Sequence, residues 1–204
     1  MNLPNKLTMT RLVLAFVFVA LVSYQHAGAY IVAYAVFTAA ALTDLYDGRI
    51  ARARGLITNF GKLLDPVADK VLLLSAFIMM MQMPALRVPG WAVVVILSRE
   101  FLVTAARMLA ASEGVIIAAD QYGKLKTVYQ MVYVFVFLFI AIVIELVRGV
   151  ATVDAWLPGG FHAWVNGIQW VSLGCISFVT VYTVYSGVQF ARANWRSLGL
   201  GNAL

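Results

Sequence analysis

The sequence predicts an all-α integral membrane protein of six transmembrane helices with both termini in the cytoplasm, and three observations carry that expectation. The 204 residues are 63% hydrophobic with a mean hydropathy of +0.88, more apolar surface than one water-soluble core could hide. Apolar stretches close to the roughly 20 residues that span a bilayer recur six times, at about 7–24, 29–53, 59–82, 89–113, 122–147 and 163–191. Lys6, Arg11, Arg49, Arg52, Arg54, Lys62, Lys124, Lys126, Arg192 and Arg196 fall at one set of ends, whereas the opposite loops hold only Arg87 and Arg148. The positive-inside rule therefore puts both termini and the second and fourth connections in the cytoplasm.

The first stretch could pass for a signal peptide over residues 12–22, but no cleavage context follows it, so it reads as a retained first helix. Short connections such as 25–28 force neighbouring helices to run antiparallel. Trp91, Trp156, Trp164 and Trp170 suit the membrane interfaces. The longest outer loop, 149–162, carries Asp154 but no group of residues that suggests chemistry. His26 and His162 lie on or near the outer side without a partner at metal-ligand spacing, and Cys175 sits alone in an apolar run, so redox and histidine-metal chemistry are not indicated. With 12% charged residues and a net charge of +6, the basic excess marks the edges of apolar segments, which fits a membrane surface and not nucleic acid. No linker, repeat or second domain interrupts 1–204, which reads as a single membrane domain.

The chain has nine acidic residues, and four of them, Asp44, Asp47, Asp65 and Asp69, fall at the cytoplasmic ends of the second and third helices. A lone carboxylate in the hydrocarbon costs about 2.5 to 3.5 kcal/mol even on lenient insertion scales, so four together need compensating positive charge. Asp44 and Asp47 are spaced i, i+3 and Asp65 and Asp69 i, i+4, so each pair shares one helix face. The turn 54–59 is short, and counting rise from it puts Asp47 level with Asp65, and Asp44 level with Asp69 one turn deeper. Oxygen-only ligands suit hard cations such as Mg²⁺ or Mn²⁺, and four negative charges balance two divalent ions. Such a pair can neutralise a diphosphate and stabilise a leaving phosphate. A salt-bridge network with Arg49, Arg52, Arg54, Lys62 and Lys70 is the plainer alternative, but it does not call for the small residues Gly48, Ala51 and Gly61 that clear space for a flat nucleotide. Pro66 interrupts the third helix beside Asp65, which is tolerable where freed backbone groups face a polar cavity.

Read as a string, DLYDGRIARARGLITNFGKLLDPVAD has the form D-x2-D-G-x2-A-R-x8-G-x3-D-x3-D and resembles the signature of the CDP-alcohol phosphotransferase family at all eight fixed positions. The resemblance implies that Asp44, Asp47, Asp65 and Asp69 ligate two metal ions, with Asp69 also the general base that deprotonates the acceptor hydroxyl. It further implies that Gly48 and Arg52 contact the CDP part of the donor, with Thr58 beside them and Asn5 and Thr8 lining the nucleotide site from the first helix; the small residues Ala51 and Gly61 are assigned to the same site by the space they leave. For Asn5 and Thr8 a helix-capping role is the plainer alternative. A homodimer in a bacterial-type inner or plasma membrane, with the active site facing the cytoplasm, is also what the resemblance implies.

The remaining buried charge bears on the acceptor. Arg99 and Arg107 lie eight residues apart in the fourth helix, and Lys124 and Lys126 begin the fifth. Guanidinium groups at membrane depth suit bidentate capture of a phosphate, so a phosphorylated alcohol fits better than serine or choline. For Arg99 the plainer alternative is a pairing with Glu100 or with an acid on another helix, and Glu145 with Arg148 looks like a local i, i+3 pair. The segments GKLLDPVADK, SREFLVTAARMLAASEG and GKLKT look like those of the branch of the family that converts CDP-diacylglycerol and sn-glycerol 3-phosphate into phosphatidylglycerophosphate and CMP. The competing expectations are the same chemistry on inositol phosphate or phosphatidylglycerol, a membrane prenyltransferase, and an aspartate-based cation transporter. A prenyltransferase would be expected to have more helices and two separated aspartate-rich motifs, and the transporter is disfavoured because the acids cluster at one face and no inverted copy of the acidic hairpin appears later in the chain.

Overall fold

The computed structural model describes residues 3–54, 59–112, 114, 115, 117, 121–148, 150 and 158–195, and within these the side chains of 3–7, 44–67 and 69 are outside the description. Among the described residues the chain is helical throughout: α1 (Leu3–Ser23), α2 (Ala27–Arg54), α3 (Asn59–Met80), α4 (Gly90–Ser112), α5 (Gln121–Arg148) and α6 (Gly160–Ala193). The helices match the six apolar stretches to within about four residues, as fraying and capping allow. The largest difference is α1, which begins at Leu3, because Pro4 is compatible with a first helical turn. By length and composition α5 and α6 can each cross a membrane, whereas Thr8–Ser23, Ala27–Thr43 and Lys70–Met80 are shorter apolar runs.

The helices form two compact units, Met1–Arg87 with Val134–Trp170, and Val88–Tyr133 with Val171–Leu204. In the first unit α1, α2 and α3 each bury a seam spaced three or four residues apart. On α1 the seam is Thr8, Arg11, Ala15, Phe18 and Val22, and on α2 it is Tyr30, Ala33, Phe37 and Ala40. On α3 it is Ala68, Leu72, Ala76 and Met79 or Met80. That spacing keeps one stripe of a helix facing its neighbours. The alanines let the backbones approach closely, and rings fill the space between them. Phe37 stands 5.5 Å from Phe18 and 5.2 Å from Phe135, centroid to centroid.

Short connections preserve this packing. Between α1 and α2 the chain reverses through Gln25, whose φ of 48° is left-handed, and His26 Nδ1 then accepts a hydrogen bond from the Gly28 amide at 3.1 Å. His26 is thus the N-cap of α2, a local role that its isolation in the sequence does not reveal. α4 ends on Gly114 at φ 80°, with the Gly114 amide donating to Ala111 at 3.1 Å and the Val115 amide to Ala110 at 2.8 Å, the paired closure of a Schellman motif.

Among the described residues large apolar side chains face outward as well as inward, and a few polar ones are buried. Val13, Phe16, Val32, Val94, Leu102, Val171 and Val181 are exposed, whereas Gln130, Ser172, Thr183 and Ser186 are wholly buried. In the second unit these polar groups link α5 to α6: Gln130 Nε2 donates to Thr183 Oγ1 at 3.3 Å, and Tyr133 and Ser172 share a hydrogen bond of 2.9 Å. Hydroxyl and amide pairs between helices, under an apolar outer surface, are the arrangement that a lipid solvent favours. The Arg148 guanidinium meets Glu145 at 3.0 Å, the local pair that the i, i+3 spacing suggests. Arg87 lies 4.4 Å over the exposed Trp170 ring.

Candidate functional site

The seam of α2 does not stop at Ala40. Continued through the helix with the same alternation, 30, 33, 37 and 40 lead to Asp44 and Asp47. Stepping back along α3 from Ala76 by four, three and four residues gives Leu72, Asp69 and Asp65, with buried Ala68 next to Asp69. All four aspartates therefore occupy register positions on the packing stripes of two helices in one unit, at the end where those stripes change from apolar to acidic. Their side chains are among those outside the described residues.

Helix bounds set their heights. Asp47 lies seven residues before Arg54 and Asp65 six residues after Asn59, so each is about 9 to 11 Å along its helix from the α2–α3 connection. Asp44 and Asp69 are each ten residues away, about 15 Å. α1 reaches the same level from the other connection. Counting from Ser23 and Ala27, Asn5 and Thr8 lie 18 and 15 residues along α1, and Asp44 lies 17 along α2. Thr8 is buried at 3% exposure, on the α1 stripe at that level. A donor set of carboxylate oxygens alone, two from each of two helices at matched heights, fits hard divalent cations. Gly48, Ala51 and Arg52 lie in the last turns of α2 and Gly61 in the first turn of α3, and their surroundings, like the side chain of Asn5, lie outside the described residues. Thr58 lies outside them altogether.

Of the four basic residues expected at an acceptor phosphate, the second unit joins two. Arg99 of α4 and Lys126 of α5 both meet the same oxygen of Glu100, Oε1, the arginine through Nη1 at 3.5 Å. Arg99 Nη2 also donates to Ser186 Oγ of α6 at 2.8 Å, and that hydroxyl donates onward to the Thr183 carbonyl at 3.2 Å. Gly187 leaves the space for this, since a Cβ there would stand 3.1 Å from Arg99 Cγ. Arg107 is held separately, its guanidinium 5.1 Å over the Phe190 ring and its Nε buried without a hydrogen-bond partner. Lys124 is exposed near the start of α5. The alternative pairing of Arg99 with Glu100 is thus present, and it includes a second cation and a second helix. A cavity of about 550 Å³ opens between α4 and α6 beside Arg99, lined by Val94, Leu102, Val103, Gly187 and Phe190 among others.

The sequence marks Arg11 only as one of the edge charges that orient the helices, yet it is 3% exposed on the α1 stripe, one turn from Thr8. Its spacing from Thr8 is the one signal of that burial. Glu100 and Ser186 are legible only as a polar residue beside Arg99 and a polar break in α6, because their partners come from distant parts of the chain.

The sequence of the chain is similar to that of known proteins. Residues 1–164 match the model of the CDP-alcohol phosphatidyltransferase family. A Bacillus subtilis (strain 168) protein named CDP-diacylglycerol–glycerol-3-phosphate 3-phosphatidyltransferase is 33% identical over 213 aligned positions, covering 98% of this chain and 99% of that protein. A Rickettsia typhi protein of the same name is 32% identical, covering 91% and 94%. A Mycobacterium tuberculosis protein named as a probable phosphatidylglycerophosphate synthase is 44% identical over 134 positions, 64% of this chain and 63% of that protein.

Proposed function

Because this chain belongs to the CDP-alcohol phosphatidyltransferase family, we propose that it transfers the phosphatidyl group of CDP-diacylglycerol to sn-glycerol 3-phosphate, giving phosphatidylglycerophosphate and CMP. The carrying observation is the change of two packing stripes, on α2 and α3, from apolar residues to paired aspartates at matched heights. The names of the relatives support the choice of donor and acceptor.

In this reading Asp44, Asp47, Asp65 and Asp69 hold two divalent ions, Mg²⁺ or Mn²⁺. When bound, these supply positive charge that neutralises the diphosphate and stabilises departing CMP. Asn5, Thr8, Gly48, Ala51, Arg52, Thr58 and Gly61 line the CDP site, the glycines and alanine leaving room for flat rings against backbone. Asp69 accepts the proton of the acceptor hydroxyl as that oxygen attacks the lipid-side phosphorus in line, and the bond from phosphorus to the CMP oxygen breaks. Arg99, Arg107, Lys124 and Lys126 bind the acceptor's own phosphate, for which planar guanidinium groups provide paired donors. The protein acts as a single six-span domain over 1–204, a homodimer with termini and active site on the cytoplasmic side of the membrane.

Purified protein in detergent is expected to release CMP from CDP-diacylglycerol with glycerol 3-phosphate, and far more slowly with inositol phosphate, phosphatidylglycerol or serine. Release of CMP with none of them would remove the enzymatic reading, and preference for another acceptor would reassign the substrate. Arg107→Ala is expected to raise the KM for glycerol 3-phosphate about tenfold to hundredfold, the worth of one or two charge-assisted hydrogen bonds, with the donor KM unchanged. An unchanged acceptor KM would remove Arg107 from the phosphate site.

A further inference from the structure

Glu100 is out of place in a cluster meant to attract an anion. It is 16% exposed, in a chain whose net charge is +6 and whose candidate anion site contains only cations. As the helical neighbour of Arg99, it would ordinarily point some 100° away around α4. Instead one carboxylate oxygen receives both the Arg99 guanidinium and the Lys126 ammonium, so a single acid connects two cations from two helices. The side chains of Arg99 and Lys126 are only 11% and 5% exposed. Two cations at that depth repel each other and lose hydration, and a counter-charge that both share holds them at one spacing. Ser186 restrains the other guanidinium nitrogen, and the open backbone at Gly187 accommodates the arginine stem.

We propose that Glu100 is a positioning residue for acceptor specificity: its carboxylate fixes Arg99 and Lys126 at one spacing, so that a phosphomonoester finds a preformed pair of cations. This rests on the reading of the reaction given above. Both cations are thereby ordered before the ligand arrives, so that binding a phosphate does not have to fix them first. Glu100 itself touches neither donor nor reacting atoms. Its loss should therefore fall on acceptor affinity alone.

The test is CMP release by the full chain in detergent, with glycerol 3-phosphate and CDP-diacylglycerol titrated separately. Glycerol, which lacks the phosphate, serves as a control acceptor on the unaltered protein. If that protein does not prefer glycerol 3-phosphate over glycerol, the reading of the acceptor fails irrespective of Glu100, and the inference that rests on it falls too. Given that preference, Glu100→Gln is expected to raise the acceptor KM at least about tenfold while the donor KM stays within about twofold. The double variant Glu100→Gln/Lys126→Gln should lose less acceptor affinity than the two single losses added together, since the part of the Glu100 effect that runs through Lys126 is already gone while the part that runs through Arg99 remains. An unchanged acceptor KM, equal rises in both KM values, or additive losses in the double variant would overturn the proposal. Should Glu100→Gln not purify as a folded protein, Ser186→Ala decides. Losing the second restraint on Arg99 should raise the acceptor KM about three- to tenfold, and no change would overturn the positioning role.

Discussion

Asp69→Asn is expected to lose about 10² to 10⁴ in kcat while CDP-diacylglycerol binds with nearly its normal affinity, because the carboxylate that must accept a proton is the least tightly bound of the four proposed ligands. An amide occupies almost the volume of the carboxylate and still offers one oxygen, so the architecture of α3 is kept. It cannot accept the proton that the attacking hydroxyl must lose. Asp69 lies level with Asp44 along its helix, a turn further than Asp65 from the connection. The loss should therefore appear in single-turnover CMP release at saturating substrate, with donor binding measured separately. A kcat within a few-fold of the parent protein would move the general base to another residue.

Asp44→Asn should behave differently. Its loss removes one of four negative charges from the proposed ion-binding set, so donor KM and the metal concentration needed for half-maximal rate should both rise, each by at least about a hundredfold. Donor affinity and metal affinity fall together because the diphosphate and the carboxylates share the same cations. The contrast between the two variants is the informative result, since mere structural damage would give the same defect in both.

Much of this architecture is legible in the amino-acid sequence. Six helices follow from apolar length, and the helical spacing of Asp44 with Asp47 and of Asp65 with Asp69 follows from periodicity, because both are local properties. The seams add what local spacing cannot: Asp44 and Asp47 extend the stripe that Tyr30, Ala33, Phe37 and Ala40 bury, and which face of α2 is buried depends on neighbours elsewhere in the chain. The same limit hides the role of Glu100. Its bond to Lys126 spans 26 positions, and the hydrogen bond from Arg99 to Ser186 spans 87, separations at which sequence periodicity carries no information. Arg11 shows the converse error, since a basic residue near the end of an apolar run reads as an interfacial anchor unless its burial is known.

Dependence of CMP release on divalent cations tests the central claim most directly. Purified protein supplied with CDP-diacylglycerol and glycerol 3-phosphate should fall to background rate in excess chelator and recover when Mg²⁺ or Mn²⁺ is restored, with Asp44→Asn requiring much more metal for the same recovery. Turnover that continues undiminished in chelator would contradict the account, because the four aspartates would then not be holding ions that the reaction uses.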